Sequence, residues 1–439
     1  MIGRRSLLAG MAATGAALPL QAQVFPPSGY GTPIATSPFP PEVFAERRRK
    51  VMAKLGGGIA VVFGAKRGGG DSPVEAPFFQ DPDFAWLTGI TDEPGAVLVL
   101  APAERRFREY LLLPSRNPEA ERWERERLPL GAEIERRSGF ARVMRTSNLG
   151  ALVTGLAERF KEFHFFGPVV GPDSPVPASL ELYGKVQQRI PGVKTTDSSK
   201  LLTSIRMVKE ARELDLITKA LAATARGHLA GMTQVQPGWT EGRLKDVIEA
   251  GFKAGGADGL AYSSIVGSGR NAASLHYVGN GGAVRAGDMI LVDAGASLTG
   301  YATDITRTYP ASGRFTPKQR SDYELVLQAQ EAAASRLRAG VYYEDLQEAA
   351  RDVFRRDGRI DQFTHGLGHH VGLHVHDAAD YSQPIPAGAV MTIEPGLYLQ
   401  DENYGIRIED MYLVTATGAQ RMSTAIPRTV AEIERAMAR

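Results

Sequence analysis

The chain has 439 residues, with 51 Lys and Arg against 49 Asp and Glu and a formal net charge of +2 at pH 7. Such a length points to two domains with sizeable cores, and so even a charge balance gives no footing for a nucleic-acid or acidic-membrane partner. Cysteine is absent, which excludes disulfides, thiolate zinc sites and a cysteine nucleophile. Any metal would be held by nitrogen and oxygen, a donor set that suits manganese, iron, cobalt or zinc.

Residues 1–23 read as an export signal peptide. Arg4-Arg5 precede an apolar stretch over 7–20, and Gln21-Ala-Gln23 offers a small residue for cleavage. Ser6-Leu7-Leu8 directly after the arginines suggests the twin-arginine type, and hence a periplasmic destination. The apolar core is short for a membrane span, which weighs against an anchor and against membrane insertion once the signal is removed. Residues 24–40 are rich in Pro, Gly and Ser and read as a flexible tether.

An amino-terminal α/β domain is expected over 41–200. A helix is predicted over 42–55, with Arg47-Arg-Arg-Lys50 as its solvated face. Strands follow over 58–63, 96–100 and 109–113, alternating with helices near 149–160 and 179–188. Gly68-Gly-Gly70 lacks the Gly-Lys-Ser/Thr of a phosphate loop and reads as a flexible loop. A second domain, α+β, is expected over 201–430. It opens with a long helix over 209–232, and after Pro237-Gly238 a second helix runs from the cap Thr240 to about 254. Strands are predicted over 264–267, 289–294, 302–309, 389–393 and 406–415, with helices near 316–339 and 343–357.

Chemistry concentrates in the second domain. Five of the eight histidines fall in His365-Gly-Leu-Gly-His-His-Val-Gly-Leu-His-Val-His-Asp377. Neutral imidazole is the commonest ligand for transition metals and a common proton shuttle. Four carboxylates stand in apolar or β-branched runs: Asp293, Asp304, Glu394 and Glu409. Buried there, an ionised carboxylate is costly unless it is paired or binds a cation. Asp293 and Asp304 are expected on consecutive strands joined by a short loop, facing one another across a hairpin, and Glu394 and Glu409 repeat the arrangement on a second pair. Four carboxylates and a histidine are too many for one catalytic zinc and suit two divalent ions about 3.5–4 Å apart. His365 and His369 have the spacing of a helical zinc motif, but Gly366 and Gly368 argue against a helix and no Glu follows the first His.

In their order and flanks, Asp293, Asp304, His369, Glu394 and Glu409 resemble the ligands of the pita-bread metallopeptidases, and within them of aminopeptidase P and prolidase. Gln80-Asp-Pro-Asp-Phe-Ala-Trp-Leu-Thr-Gly-Ile-Thr-Asp-Glu-Pro94 resembles the amino-terminal domain of aminopeptidase P, and Val266-Gly-Ser-Gly-Arg-Asn-Ala-Ala-Ser-Leu-His276 follows in the family's order. The resemblance implies a creatinase/aminopeptidase P type amino-terminal domain before a pita-bread catalytic domain, and an enzyme that releases an N-terminal residue preceding proline. It implies two divalent ions, manganese first among them, and a homo-oligomer, either a dimer or a tetramer. In it Asp293 binds one ion, Asp304 and Glu409 bridge both, and His369 and Glu394 complete the other. A hydroxide held between the ions attacks the carbonyl before proline.

The same resemblance puts His276 and His376 beside the reacting carbonyl and the proline, lets Glu394 shuttle the proton, and gives His365 a supporting or substrate-pocket role. Arg407 is expected to orient a metal ligand rather than bind substrate. Trp123 either reaches a neighbouring subunit's active site or is an interface or surface residue. His370 and His374 have no matching role and read as packing or solvent-facing. A dipeptidase resembling prolidase is the alternative, but such enzymes carry an Arg between the His-Asp and Glu-Pro-Gly motifs, and residues 378–393 hold no Arg or Lys. A non-catalytic peptide-binding relative would lack the ligand set.

Overall fold

The computed structural model describes residues 37–66, 78–123 and 127–438. The expected signal, most of the tether and the Gly68–Gly70 loop lie outside the described residues. Among the described residues no helix is long and apolar enough to cross a membrane.

The amino-terminal part is built on a six-stranded mixed sheet. Its strands are β1 (Ile59–Phe63), β2 (Val97–Leu100), β3 (Glu109–Leu113), β4 (Val143–Arg145), β5 (Glu162–Phe165) and β6 (Lys194–Asp197), in the order β4-β3-β2-β1-β5-β6. Side chains alternate across the sheet, so Ile59 and Val61 join one core with Leu112 and Phe163, while Ala60 and Val62 join another with Leu98 and Phe84. Both faces are covered, which explains the unbroken apolar runs of β1 and β2.

The first helix, Pro41–Leu55, corrects the reading of its charge run. Arg47 and Arg48 are 1% and 0% exposed, not solvated. Arg47 donates to the Trp86 carbonyl and pairs with Glu210 and Glu213, and Arg48 makes two hydrogen bonds to Glu109 and one to the Leu87 carbonyl. A buried guanidinium is tolerated because its donors are satisfied and its charge is matched. Arg47 thereby ties the first helix to the long helix of the carboxy-terminal region, Ala211–Gln234.

The carboxy-terminal region packs the helices Ala211–Gln234, Glu241–Ala254, Pro317–Arg336 and Tyr343–Arg356 around small antiparallel sheets. Its strands are β7 (Gly259–Leu260), β8 (Ile265–Ser268), β9 (Met289–Asp293), β10 (Ala296–Leu298), β11 (Tyr301–Ala302) and β12 (Thr306–Pro310). Five more follow: β13 (Val390–Ile393), β14 (Gly396–Leu399), β15 (Tyr404–Arg407), β16 (Asp410–Val414) and β17 (Ala419–Arg421). They pair as β12-β9-β8, β11-β10-β7, β13-β16-β17 and β14-β15.

Two predicted strands are therefore broken. The strand expected over 302–309 stops after Ala302 and resumes at Thr306, and that expected over 406–415 stops after Arg407 and resumes at Asp410. Asp304 and Glu409 sit in the two gaps. The carboxylates are thus gathered at strand ends from several small sheets, not along one antiparallel sheet.

Candidate active site

Strand ends aim the acids inward. Asp293 is the last residue of β9 and lies opposite Thr306 across the ladder, not opposite Asp304, because the β10–β11 hairpin intervenes. The two aspartates meet all the same through the Tyr262 hydroxyl, 2.5 Å from an oxygen of each. The chain at Gly295 passes so close to the Thr303 carbonyl that any side chain would strike it, so the approach requires glycine. On the other side, Ile393 pairs with Asp410, and continuing that register puts Glu394 opposite Glu409, as the spacing predicted.

His369 closes the ring. Its Nε2 lies 3.2 Å from Asp304 and 3.5 Å from Glu394, and its backbone N–H donates to the Thr392 hydroxyl. Its Nδ1 lies 3.2 Å from the His370 carbonyl. A ring nitrogen facing a carbonyl must carry the proton, which leaves the Nε2 lone pair directed at the carboxylates. Gly368, where a side chain would run into the Thr392 carbonyl, lets this loop press against β13.

Electrostatics fits divalent cations. Burial first, and then the neighbouring Asp293 and Glu394, push Asp304 well above the carboxylate range. Glu409 is raised in the same way by burial and Asp304, and Glu394 to about 8 by burial and Glu409. Glu409 Oε2 accepts from the Thr306 hydroxyl at 2.8 Å, while its buried Oε1 has no hydrogen-bond partner. A cation would satisfy that oxygen and cancel the mutual repulsion. One oxygen each from Asp304 and Glu409 and a ring nitrogen of His369 lie within 4.8 Å of one another, the reach of a single ion.

His276, His365, His376 and Arg407 line the same cavity of about 510 Å³. His376 stands edge-on to His369 with ring centroids 4.2 Å apart, and its pKa is lowered by desolvation and by the adjacent histidines. His365 Nε2 is 2.9 Å from the Tyr398 hydroxyl, and burial lowers it to about 4. Arg407 donates to Asp293 at 2.5 Å, to Tyr398 at 2.9 Å and to the Thr306 hydroxyl at 3.2 Å. It holds one oxygen of the Asp293 carboxylate. Trp123 ends the short helix Pro118–Trp123, and its side chain lies outside the described residues. His370 is buried against Tyr381 and His374 is exposed, which matches the packing and solvent roles read for them.

Comparison with known proteins agrees with this geometry. Residues 44–164 match the family "Aminopeptidase P, N-terminal domain", and residues 215–416 match "Metallopeptidase family M24". The chain is 32% identical to the Xaa-Pro aminopeptidase of Haemophilus influenzae, over 91% of this chain and 97% of that protein. It belongs to metallopeptidase family M24, in the aminopeptidase P branch. The structure of an aminopeptidase from Pseudomonas aeruginosa superposes with a TM-score of 0.80 at 32% identity, covering 91% of this chain and 98% of that one. Zinc-substituted aminopeptidase P from Escherichia coli, in complex with product, gives 0.82 at 28% identity and covers 91% and 99%.

Three parts of this M24 site escaped the sequence. Tyr262 bridges two acids from a stretch with no motif of its own. Tyr398 joins Arg407 to His365. Arg206, in the helix Ser199–Met207, donates to both Asp83 of the amino-terminal region and Asp377, the residue after His376. Lys209 adds a hydrogen bond to Asp377 at 2.8 Å. Burial alone would raise Asp377, but Arg206 and Lys209 together hold it below the usual carboxylate range.

Proposed function

We propose that the protein is an exported enzyme that hydrolyses the peptide bond between an N-terminal residue and a following proline, using two divalent ions. Asp293, Asp304, His369, Glu394 and Glu409 would hold the ions; manganese suits a set in which four of the five donors are carboxylates. Bound there, the ions would acidify water toward neutrality and polarise the peptide carbonyl.

The chain's own groups supply the rest. The Nδ1–H of His369, donated to a carbonyl, keeps the Nε2 lone pair turned inward. Arg407 and Tyr262 fix the two oxygens of Asp293 from opposite sides. Tyr398 accepts from Arg407 and donates to His365, while burial and then the Arg407 charge keep that imidazole neutral at neutral pH. His376, also neutral, and His276 can donate N–H to the oxygen that gains charge as the carbonyl is attacked. Glu394, whose affinity for a proton is raised by burial, would take the proton from the attacking water and pass it to the proline nitrogen.

The observation that carries an aminopeptidase rather than a dipeptidase reading is the cavity's charge. Among the described residues, Arg407 is the only Lys or Arg lining it, and its donors are already engaged by Asp293, Tyr398 and Thr306. Nearby, Arg206 and Lys209 are taken up by Asp377, and Lys200 pairs with Asp380. Among the described residues lining the cavity, a dipeptide's free proline carboxylate thus finds no spare Lys or Arg, whereas a longer peptide presents a neutral amide and continues outward. For a matched pair, kcat/KM on Xaa-Pro-Yaa should exceed that on Xaa-Pro by at least about tenfold, or ~1.4 kcal/mol of transition-state stabilisation. Equal or reversed preference would move the assignment to a dipeptidase.

A further inference from the structure

Beneath the carboxylates lies a polar cluster that touches neither the cavity nor solvent. Gln330, on the helix Pro317–Arg336, is 0% exposed, as are Arg307 on β12 and Asp410 on β16. Fully buried groups of this kind are rare unless they are satisfied, and each is here. The Gln330 Nε2 lies 3.0 Å from the Ile393 carbonyl, 3.1 Å from the Ile408 carbonyl and 3.1 Å from Asp410 Oδ2. Its Oε1 accepts from Arg428 at 3.2 Å. Three acceptors on one side and a cationic donor on the other fix which way the amide points.

The two carbonyls it reaches belong to the residues immediately before Glu394 and Glu409. One amide therefore spans the peptide units that carry the two opposed glutamates. Arg307 holds the same segment from the other side. It donates to the Glu409 carbonyl at 2.5 Å, to the Thr306 carbonyl at 2.9 Å and to Asp410 at 2.6 Å. Asp410 also accepts from the Ser423 hydroxyl. The peptide units on both sides of Glu409 are thus pinned, while among the described residues Thr306 is the one side-chain donor to the carboxylate.

We infer that Gln330 is a positioning residue for the metal centre: with Asp410 and Arg307 it sets the separation and aim of Glu394 and Glu409. The inference rests on the metal-site reading above. Leucine has nearly the volume of glutamine and no donors, so Gln330→Leu would keep the packing of the helix and release both carbonyls. The two glutamates would then be free to shift relative to one another, and ligand groups held loosely by outer partners bind metal more weakly.

The test is calorimetric titration of Mn²⁺ into full-length, chelator-treated enzyme, with kcat and KM measured at saturating Mn²⁺. For Gln330→Leu the expected result is Mn²⁺ binding at least about tenfold weaker and a reduced kcat, with KM for an Xaa-Pro-Yaa peptide nearly unchanged. Two controls on the same helix separate this from general destabilisation. Gln328→Leu makes the same chemical change on the exposed face, and Val326→Ala removes core packing without removing a side-chain hydrogen bond. Both should bind Mn²⁺ as the wild type does, even where Val326→Ala lowers the melting temperature. Should Gln330→Leu fail to fold, Ser423→Ala loosens Asp410 from the other side and should weaken Mn²⁺ in the same direction. Wild-type affinity in Gln330→Leu, or an equal loss in Val326→Ala at a matched fall in melting temperature, would overturn the positioning role. If Gln330→Leu is unfolded, wild-type affinity in Ser423→Ala overturns it. Wild-type enzyme that binds no divalent ion would instead overturn the metal-site reading beneath it.

Discussion

Replacing Tyr262 by Phe removes a single oxygen and leaves the ring to fill the same space. That oxygen lies 2.5 Å from both Asp293 and Asp304. Burial, and then the charge of the two aspartates, raises the phenol well above its ordinary pKa, so it stays protonated and serves as a donor between two acceptors. A hydrogen bond to a charged group is worth about 1.5–3 kcal/mol. One proton cannot serve both carboxylates fully, so one such bond is the amount at stake. If it is spent on holding the acids in their metal-binding orientation, its loss corresponds to about 10–100-fold weaker Mn²⁺ binding, the usual range for an outer partner of a ligand. Chelator competition on Tyr262→Phe measures the affinity, and turnover at saturating Mn²⁺ measures what orientation remains. Equal or tighter Mn²⁺ binding with unchanged turnover would refute the reasoning, because the hydroxyl would then only be masking carboxylate charge.

Asp304→Ala and His369→Ala should each remove nearly all hydrolysis and lower metal content; two bound ions with near-normal turnover in either variant would sink the dinuclear assignment. His228 is fully buried, donates Nε2–H to the Ala294 carbonyl at 3.0 Å, and is lowered by desolvation to about 4. The unfolded chain takes up this proton near pH 6.5 and the folded chain only near 4, so the group's contribution is intact above 6.5 and is lost as the pH falls toward 4, at up to ~1.4 kcal/mol per pH unit. Denaturation of wild type and His228→Gln at pH 7 and pH 5 checks this: the gap between them should narrow at pH 5, and a constant gap would refute it. Replacing Arg4 and Arg5 with Lys should strand the protein in the cytoplasm, and unchanged periplasmic yield would point to another export route.

Much of the scaffold is legible locally. The helix Leu149–Phe160 and the strand Glu109–Leu113 stand where their apolar spacing puts them, and Thr240 accepts from the Arg243 N–H as the cap it was read to be. Such features depend on neighbours within a turn or a strand. Arg47 and Arg48 show the opposite case. On their own helix they look like a polar face; their burial depends on Glu109, Glu210 and Glu213, which are more than sixty residues away. Arg206 is hidden for the same reason, since nothing in its local sequence announces that Asp83 and Asp377 converge on it. The five proposed ligands were legible because each sits in a short run whose composition is peculiar in itself, whereas Tyr262 and Gln330 sit in ordinary ones.

The broken strands carry the same lesson into the site. Along a regular strand, side chains alternate between two faces and the ladder consumes the backbone donors and acceptors. A carboxylate that must leave its pleat and turn to a point shared by several sheets interrupts that pattern, and the interruption frees backbone groups in a buried place. Here several of the freed groups have substitutes. Around Asp304, the Ala294 N–H donates to the Ile305 carbonyl and the Thr303 N–H to the Ala296 carbonyl. Around Glu409, the Ile408 N–H donates to the Pro395 carbonyl and the Glu409 N–H to the Thr306 carbonyl. Gln330 and Arg307 take the carbonyls of Ile408 and Glu409. Apolar periodicity runs straight through both gaps, which is why they read as continuous strands. The substitutes come from distant segments, so the gaps appear only when the sheets are assembled around the acids.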